Sequence, residues 1–297
     1  MPLFRQFIQC FRQVDRLLLA KQGFTIYKSY GVILILAEIF RSIAESGEST
    51  MSGFLFRIAY LVTSITAGLL ALPLLLWPGR GPLMSLMRLY SRVMVFWMKT
   101  IAGITLEIRG KEHVPDGACI IAAKHQSWGD GYSLFSQFHD LAFVTGDHLE
   151  KIPAVGWILR KMDAIVVAQC GGAESRAALM DKEMVKARNE GRRIFIYPEG
   201  KLVEVGYHAP YKKGVFHMYE VYDCPVVPAA TNLGLFWPKD GWNLKPGVAV
   251  LEFLPPIPPG MEKAEFMHKL ENQIEGGSIA LLPADFELPE EREIKPA

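Results

Sequence analysis

Paired cysteines are missing from this chain of 297 residues, and the chemistry that needs them is excluded. Its four cysteines, Cys10, Cys119, Cys170 and Cys224, stand singly with no CxxC spacing, so neither a zinc ribbon nor a dithiol redox motif is present. They read as reduced, cytosol-side thiols, with Cys119 and Cys224 as inert packing in apolar strands. An excess of charge of one sign is also absent. The 32 basic and 31 acidic side chains leave a net +1, which gives the chain as a whole no electrostatic reason to collect nucleic acid. Of the seven histidines, His113, His139, His148, His208, His217 and His268 show no ligand spacing and read as surface or core residues; no metal is expected. There is no internal repeat, no low-complexity linker and no G-x-S-x-G elbow, which removes solenoids and the usual serine nucleophile.

Apolar residues, by contrast, make up 50% of the chain, more than ordinary globular usage. The run 54–77, FLFRIAYLVTSITAGLLALPLLLW, has Arg57 as its sole charge and exceeds the ~20 residues a helix needs to cross a bilayer core. Pro73 and Trp77 near its end fit a kink and an interfacial anchor. A shorter run, 31–40, is too brief to span, and no small-residue cleavage site follows it, so the N-terminus reads as retained. Basic residues flank the long run on both sides, Lys28 and Arg41 before it and Arg80, Arg88, Arg92 and Lys99 after it, so the positive-inside bias sets no orientation. The segment 84–104 mixes arginines with aromatics. That pattern suits the second arm of a membrane hairpin, a helix lying in the interface, or an amphipathic core helix.

After Gly103 the texture changes to short β-branched runs separated by turns and helical stretches. Strands are expected at 104–108, 119–123, 141–145, 164–167, 193–197, 225–229 and 248–253, and helices at 174–190, closed by Gly191, and at 261–276. The expected fold class is α/β, a mixed sheet of about seven strands with flanking helices, preceded by an N-terminal hydrophobic membrane-anchoring helical segment. In domain terms, 1–103 is a membrane-associated helical region, 104–285 a catalytic domain and 286–297 a polar tail.

The chemistry concentrates in AAKHQSWGDGYS, where His125 directly follows an apolar strand and Asp130 comes five residues later among glycines that permit a tight turn into a helix. Strand ends are where α/β folds place functional groups. An imidazole can take a proton from a hydroxyl while a carboxylate on its other nitrogen fixes the tautomer, and no serine or cysteine nucleophile is then required. Ser127 lies too close to His125 in sequence to act as its partner. The H-x4-D spacing alone is a weak signal. It is accompanied by IFIYPEGK, in which Glu199 and Gly200 follow a strongly apolar strand, by PYKKG at 210–214, and by CPVVPAA at 224–230.

This ordered set, behind an N-terminal hydrophobic anchor, resembles the glycerolipid acyltransferases of the 1-acylglycerol-3-phosphate acyltransferase type over roughly residues 100–285. The resemblance implies that His125 is the general base and Asp130 its orienting partner. It implies that Glu199 and Gly200 belong to the acceptor-binding and structural block, and that 152–169 is the family's second block. Two departures stand out: Gln169 and Leu202 occupy positions where the family usually has arginines associated with the acceptor's phosphate. A bidentate guanidinium has no equivalent in either residue. Lys201, Lys212 and Lys213 then read either as substitute point cations or as a solvated basic loop.

The resemblance implies transfer of an acyl chain from acyl-CoA or acyl carrier protein to a lysolipid hydroxyl, with no metal or organic cofactor. The expected acceptor is 1-acyl-sn-glycerol-3-phosphate; a lysolipid without a phosphate monoester, such as lyso-ornithine lipid, is the alternative. A non-catalytic lipid-binding protein on the same fold, and a metal-dependent lipid hydrolase, are the readings from other classes. The expected partners are the bilayer, the lysolipid and the thioester donor. The expected location is the inner membrane, with the catalytic domain on the cytoplasmic side.

Overall fold

A computed structural model describes residues 51–150, 154–167, 173–239 and 241–290, with 147–148 and 173–177 described by backbone alone. The short apolar run 31–40, Cys10, Cys170, Gln169 and the end of the polar tail lie outside the described residues. In chain order the elements are α1 (Met51–Leu74), α2 (Gly81–Thr100), β1 (Ile104–Arg109), β2 (Cys119–Ala123), α3 (Gly129–Phe135), β3 (Ala142–Gly146), α4 (Asp147–Glu150), α5 (Val155–Lys161) and β4 (Ile165–Val167). They continue with α6 (Ala173–Asn189), β5 (Arg193–Ile196), α7 (Gly214–Tyr222), β6 (Val226–Thr231), β7 (Gly247–Phe253) and α8 (Lys263–Ala280); single 3-10 turns occupy Lys111–His113 and Leu233–Leu235.

The seven strands form one sheet in the order β1-β7-β6-β2-β5-β3-β4. Neighbours are parallel except β6 and β7, where Ala229 opposes Phe253 and Thr231 opposes Leu251. The sheet is therefore mixed, as expected. Its central strands β2 and β6, CIIAA and VVPAAT, are buried at every residue because helices cover both faces. Period-two alternation assigns the two layers. Ile120 and Ala122 point to the layer built from Met184 of α6, Val215 and Tyr219 of α7, and Phe266, Leu270 and Ile274 of α8. Cys119, Ile121 and Ala123 point to the opposite layer, with Leu83 and Met84 of α2 and Leu134 and Phe135 of α3. Burial there pushes the Cys119 thiol up to about 12, so it is an inert filler rather than a nucleophile.

The apolar run forms α1, three residues earlier at each end than its composition outlines, because Pro73 and the turn after it stop the helix at Leu74. By length and composition α1 can cross a membrane, and only 17% of its most apolar window is buried. Phe54, Leu55, Ile58, Val62, Ile65, Leu69 and Leu70 face outward. Arg57, the single charge in the run, is buried against the Trp242 ring at 5.5 Å, so the outward face carries no charge and Thr66 is its exposed polar residue. The inward face packs Phe56 edge-on against Trp237 at 5.1 Å, and Trp97 of α2 donates from Nε1 to Thr63 Oγ1 at 3.0 Å.

Helix α2 begins with a proline at its first turn and buries Leu83, Met84, Ser91, Met94 and Met98, a 3.5-residue stripe facing the sheet. Of the three readings open to this segment, the described contacts are those of an amphipathic core helix, with Leu89 and Phe96 left outside. Arg80, in the link between the two helices, is not an outward-facing basic flank. Its guanidinium bonds Asp140 at 2.7 and 2.8 Å, Asp163 at 2.9 Å and Glu190 at 2.6 Å, fastening the helix pair to the amino ends of β3, β4 and β5.

From the carboxyl ends of β2 and β5 the chain leaves toward opposite layers, to α3 on one side and α7 on the other. Divergence of this kind opens a crevice at the strand ends.

Candidate active site

His125 lies in that crevice, two residues beyond the end of β2. Lys124 N–H still donates to Ala229 O at 3.0 Å and Val203 N–H to His125 O at 2.8 Å, so the backbone carrying the imidazole is held from both neighbouring segments. The chain then turns sharply. Asp130, in the first turn of α3, folds its carboxylate back over the turn: Oδ2 accepts the amides of Gln126 at 2.7 Å and Ser127 at 2.8 Å and faces His125 Nδ1 at 3.1 Å. Gly129 allows the turn to sit close to the 233–237 segment, since a Cβ there would approach Leu233 at 2.8 Å and Trp237 at 2.9 Å.

The two sequence-predicted catalytic residues are thus brought together, Asp130 buried and His125 partly exposed at the mouth. Accepting from Nδ1–H, Asp130 fixes the tautomer in which Nε2 is free to take a proton. Ser127 is fully buried and its Oγ accepts the Gly129 amide at 3.0 Å, a turn-forming role. The amides of Gln126 and Ser127 are committed to Asp130 and are not available to stabilise an oxyanion.

Glu199 sits in the interior. Its Oε1 accepts Lys124 Nζ at 2.8 Å and Ala209 N–H at 3.0 Å. The same ammonium bonds both carboxylate oxygens of Glu275 on α8, at 2.8 and 2.9 Å, and Tyr207 O at 3.0 Å, while Tyr211 donates its hydroxyl to Glu275 at 3.0 Å. Burial pushes the Glu199 carboxyl above the usual carboxylate range, with the Lys124 charge acting in the other direction. Gly200 turns the chain in the left-handed region at φ +65, under the stem of Lys212, which would lie 3.3 Å from a Cβ there. Lys201, Lys212 and Lys213 are exposed around this loop, and Leu202 is half-buried beside them.

Two residues at the site were not singled out in the sequence. Lys124, only 1% exposed, reads in sequence as an ordinary lysine; its one signal is its place inside an apolar strand end, directly before His125. Tyr197 stacks flat on the His125 ring, centroids 3.7 Å apart and planes within 8°. Its hydroxyl is buried without a hydrogen-bond partner among the described residues, and burial together with the Asp130 charge holds it well above the ordinary phenol range. The signal for Tyr197 was the aromatic immediately before Pro198 in IFIYPEGK.

The acyltransferase family model matches residues 105–232, a stretch running from β1 through His125 and Asp130 to the end of β6. A 1-acyl-sn-glycerol-3-phosphate acyltransferase of Pseudomonas aeruginosa is 30% identical over 174 residues, covering 57% of this chain and 66% of that protein. The chloroplastic 1-acyl-sn-glycerol-3-phosphate acyltransferase BAT2 of Brassica napus is 29% identical over 124 residues, 41% of this chain and 36% of its own length. The chain therefore spans two thirds or less of these relatives. In fold, it is similar to the crystal structure of the 1-acyl-sn-glycerophosphate acyltransferase PlsC from Thermotoga maritima, with a TM-score of 0.63 at 20% identity over 77% of this chain and 95% of that one.

Proposed function

The chain belongs to the acyltransferase family, and on that premise we propose that it transfers a fatty acyl group from a thioester to the free hydroxyl of a lysolipid, 1-acyl-sn-glycerol-3-phosphate being the acceptor. The observation that carries this reading is the His125–Asp130 pair at 3.1 Å, at a strand-end crevice and with Nε2 unoccupied by any described partner. Nε2 takes the proton of the acceptor hydroxyl as its oxygen attacks the thioester carbonyl carbon. The tetrahedral intermediate collapses, the C–S bond breaks, and the proton on His125 passes to the departing sulfur, leaving an ester and a free thiol. Every atom of the reaction belongs to the two substrates, and the imidazole returns to its starting state. Acyl-CoA or acyl carrier protein supplies the thioester. The uncharged, largely apolar outer face of α1 supports work at a membrane, which we assign to the cytoplasmic side of the inner membrane.

The acceptor's phosphate is the point of departure from the family pattern. Lys212, whose stem lies over Gly200, and its exposed neighbours Lys201 and Lys213 supply point charge around the P-E-G loop in place of the arginine absent at Leu202. The alternative, a lysolipid without a phosphate monoester such as lyso-ornithine lipid, draws its support from Leu202 itself, an uncharged side chain beside that loop. Wild type and His125→Ala protein in detergent, each given labelled thioester with lysophosphatidate or lyso-ornithine lipid, decide the matter. Esterification of lysophosphatidate by wild type alone is the expected result. Esterification of the aminolipid alone transfers the assignment to that acceptor, and an active His125→Ala refutes the mechanism.

A further inference from the structure

We propose that Tyr197 is a positioning residue for the acyl-transfer step: its ring, stacked on His125, favours the imidazolium that exists only after the acceptor has surrendered its proton. The proposal rests on the reading of His125 as the general base. Its own basis is the geometry of the stack, 3.7 Å between centroids at 8°. Two neutral rings disfavour a face-to-face sandwich, because their quadrupoles oppose, and settle instead into offset or edge-on contacts. The aromatic contacts beside it are edge-on, Phe195 meeting Tyr197 at 78° and Phe135 meeting Phe143 at 78°, whereas Tyr219 and Phe266, in the opposite layer, stack at 4.0 Å and 14°. The flat overlap of Tyr197 with His125 is the arrangement that gains when the upper ring becomes a cation over the π face of the lower one. An interaction stronger in the proton-bearing state than in the resting state lowers the barrier rather than tightening substrate binding.

The surroundings leave this role to the ring. Among the described residues, Asp130 from α3 meets the imidazole at Nδ1 and Tyr197, just past the end of β5, stacks on its face. Lys124, the adjacent cation in the chain, has its ammonium on Glu199 and Glu275. The Tyr197 hydroxyl makes no hydrogen bond among the described residues, and the ring is held instead by the β5 backbone, by Phe195 and by the Gly200 amide, which donates to Tyr197 O at 3.0 Å.

The test is a ring series at position 197 in the full chain: Tyr197→Phe, Tyr197→Leu, and phenylalanine carrying one to three ring fluorines, which drain the π face while nearly preserving shape. We expect Tyr197→Phe to keep kcat within about twofold and Tyr197→Leu to lower it about three- to thirtyfold with KM little changed. Log kcat should fall stepwise with each fluorine, a gradient that a merely structural ring would not produce. A flat fluorine series, or a Phe variant as slow as the Leu variant, overturns the proposal. Wild type is assayed first: a wild type with no transferase activity refutes the acyltransferase reading and this proposal with it, whereas an active wild type with a flat series refutes the role of Tyr197 alone.

Discussion

Removing the cation from the buried Lys124 hub, as in Lys124→Met, strands two carboxylates in the interior. The ammonium is 1% exposed, Glu199 1% and Glu275 12%, with contacts of 2.8 Å to each partner. Even at an effective dielectric of ~20 each contact is on the order of 6 kcal/mol of attraction, most of it offset by desolvation of the three charges. Breaking such a hub from one side costs about 3–5 kcal/mol, because the partners stay buried without compensation. For a domain of this size that corresponds to a fall in melting temperature of about 6–20 °C. The deficit also has a pH signature. The Glu199 carboxyl already stands above the usual range in the folded protein, and without Lys124 it rises further. A group whose folded pKa is raised destabilises above its unfolded value, so the loss is small below about pH 4.5 and grows as pH rises through the folded value. Thermal melts of wild type, Lys124→Met and the triple variant Lys124→Met/Glu199→Gln/Glu275→Gln at pH 5 and pH 8 make the comparison. The single variant should melt much lower at pH 8, recover part of the gap at pH 5, and be largely rescued in the triple. A single variant within about 2 °C of wild type at pH 8, or a triple no better than the single, refutes the reasoning.

Asp130→Asn should keep the fold, since the amide oxygen can still accept from Gln126 and Ser127, while transferase kcat falls by about 10²–10⁴-fold through loss of the tautomer lock; rates and melting curves measured together check this. Gly200→Ala forces a side chain into φ +65 and against Lys212, and urea unfolding should register a loss of about 1–2 kcal/mol. The Asp140 carboxyl is held below the usual range: burial opposes this, but the Arg80 hydrogen bonds and the Arg192 charge prevail. A depressed carboxyl stabilises above its unfolded value and loses that contribution as pH falls through the folded value. Wild type should therefore lose melting temperature below about pH 4, and Arg80→Ala should lose less of its own over the same interval.

The sheet was legible because its strands are short, apolar and separated by turn residues. Each of the seven expected runs became a strand, 119–123 with both ends unchanged and the others with ends shifted by at most two positions. The continuous burial of β2 and β6 is written in CIIAA and VVPAAT, which carry no alternation to misplace them. The packing of α2 on the sheet was not legible: a stripe of methionines and leucines is equally suited to lipid and to a core, and only the facing surface decides. Nor were the partners of Arg80, whose carboxylates on Asp140 and Asp163 lie 60 and 83 positions away. Charge counted along the chain cannot tell a membrane flank from a tertiary clamp.

At the site, His125 and Asp130 could be found because a five-residue loop is short enough to close on itself. Lys124 could not, because its partners Glu199 and Glu275 come from segments 75 and 151 residues on, and a lone lysine ordinarily belongs to the surface. Yet Lys124 directly precedes His125, and Glu199 follows Tyr197 by two. Their ion pair therefore ties the carboxyl ends of β2 and β5 together just where the imidazole must overlie the phenol ring. A parallel strand pair stops exchanging hydrogen bonds at its ends, where each chain is otherwise free to diverge into its own crossover. A buried charge pair at that point is costly in desolvation but intolerant of slippage, since a displacement of an ångström or two would leave both ions unpaired. The stack between His125 and Tyr197 is thus kept in register by this pair of charges as well as by the contacts of the rings themselves.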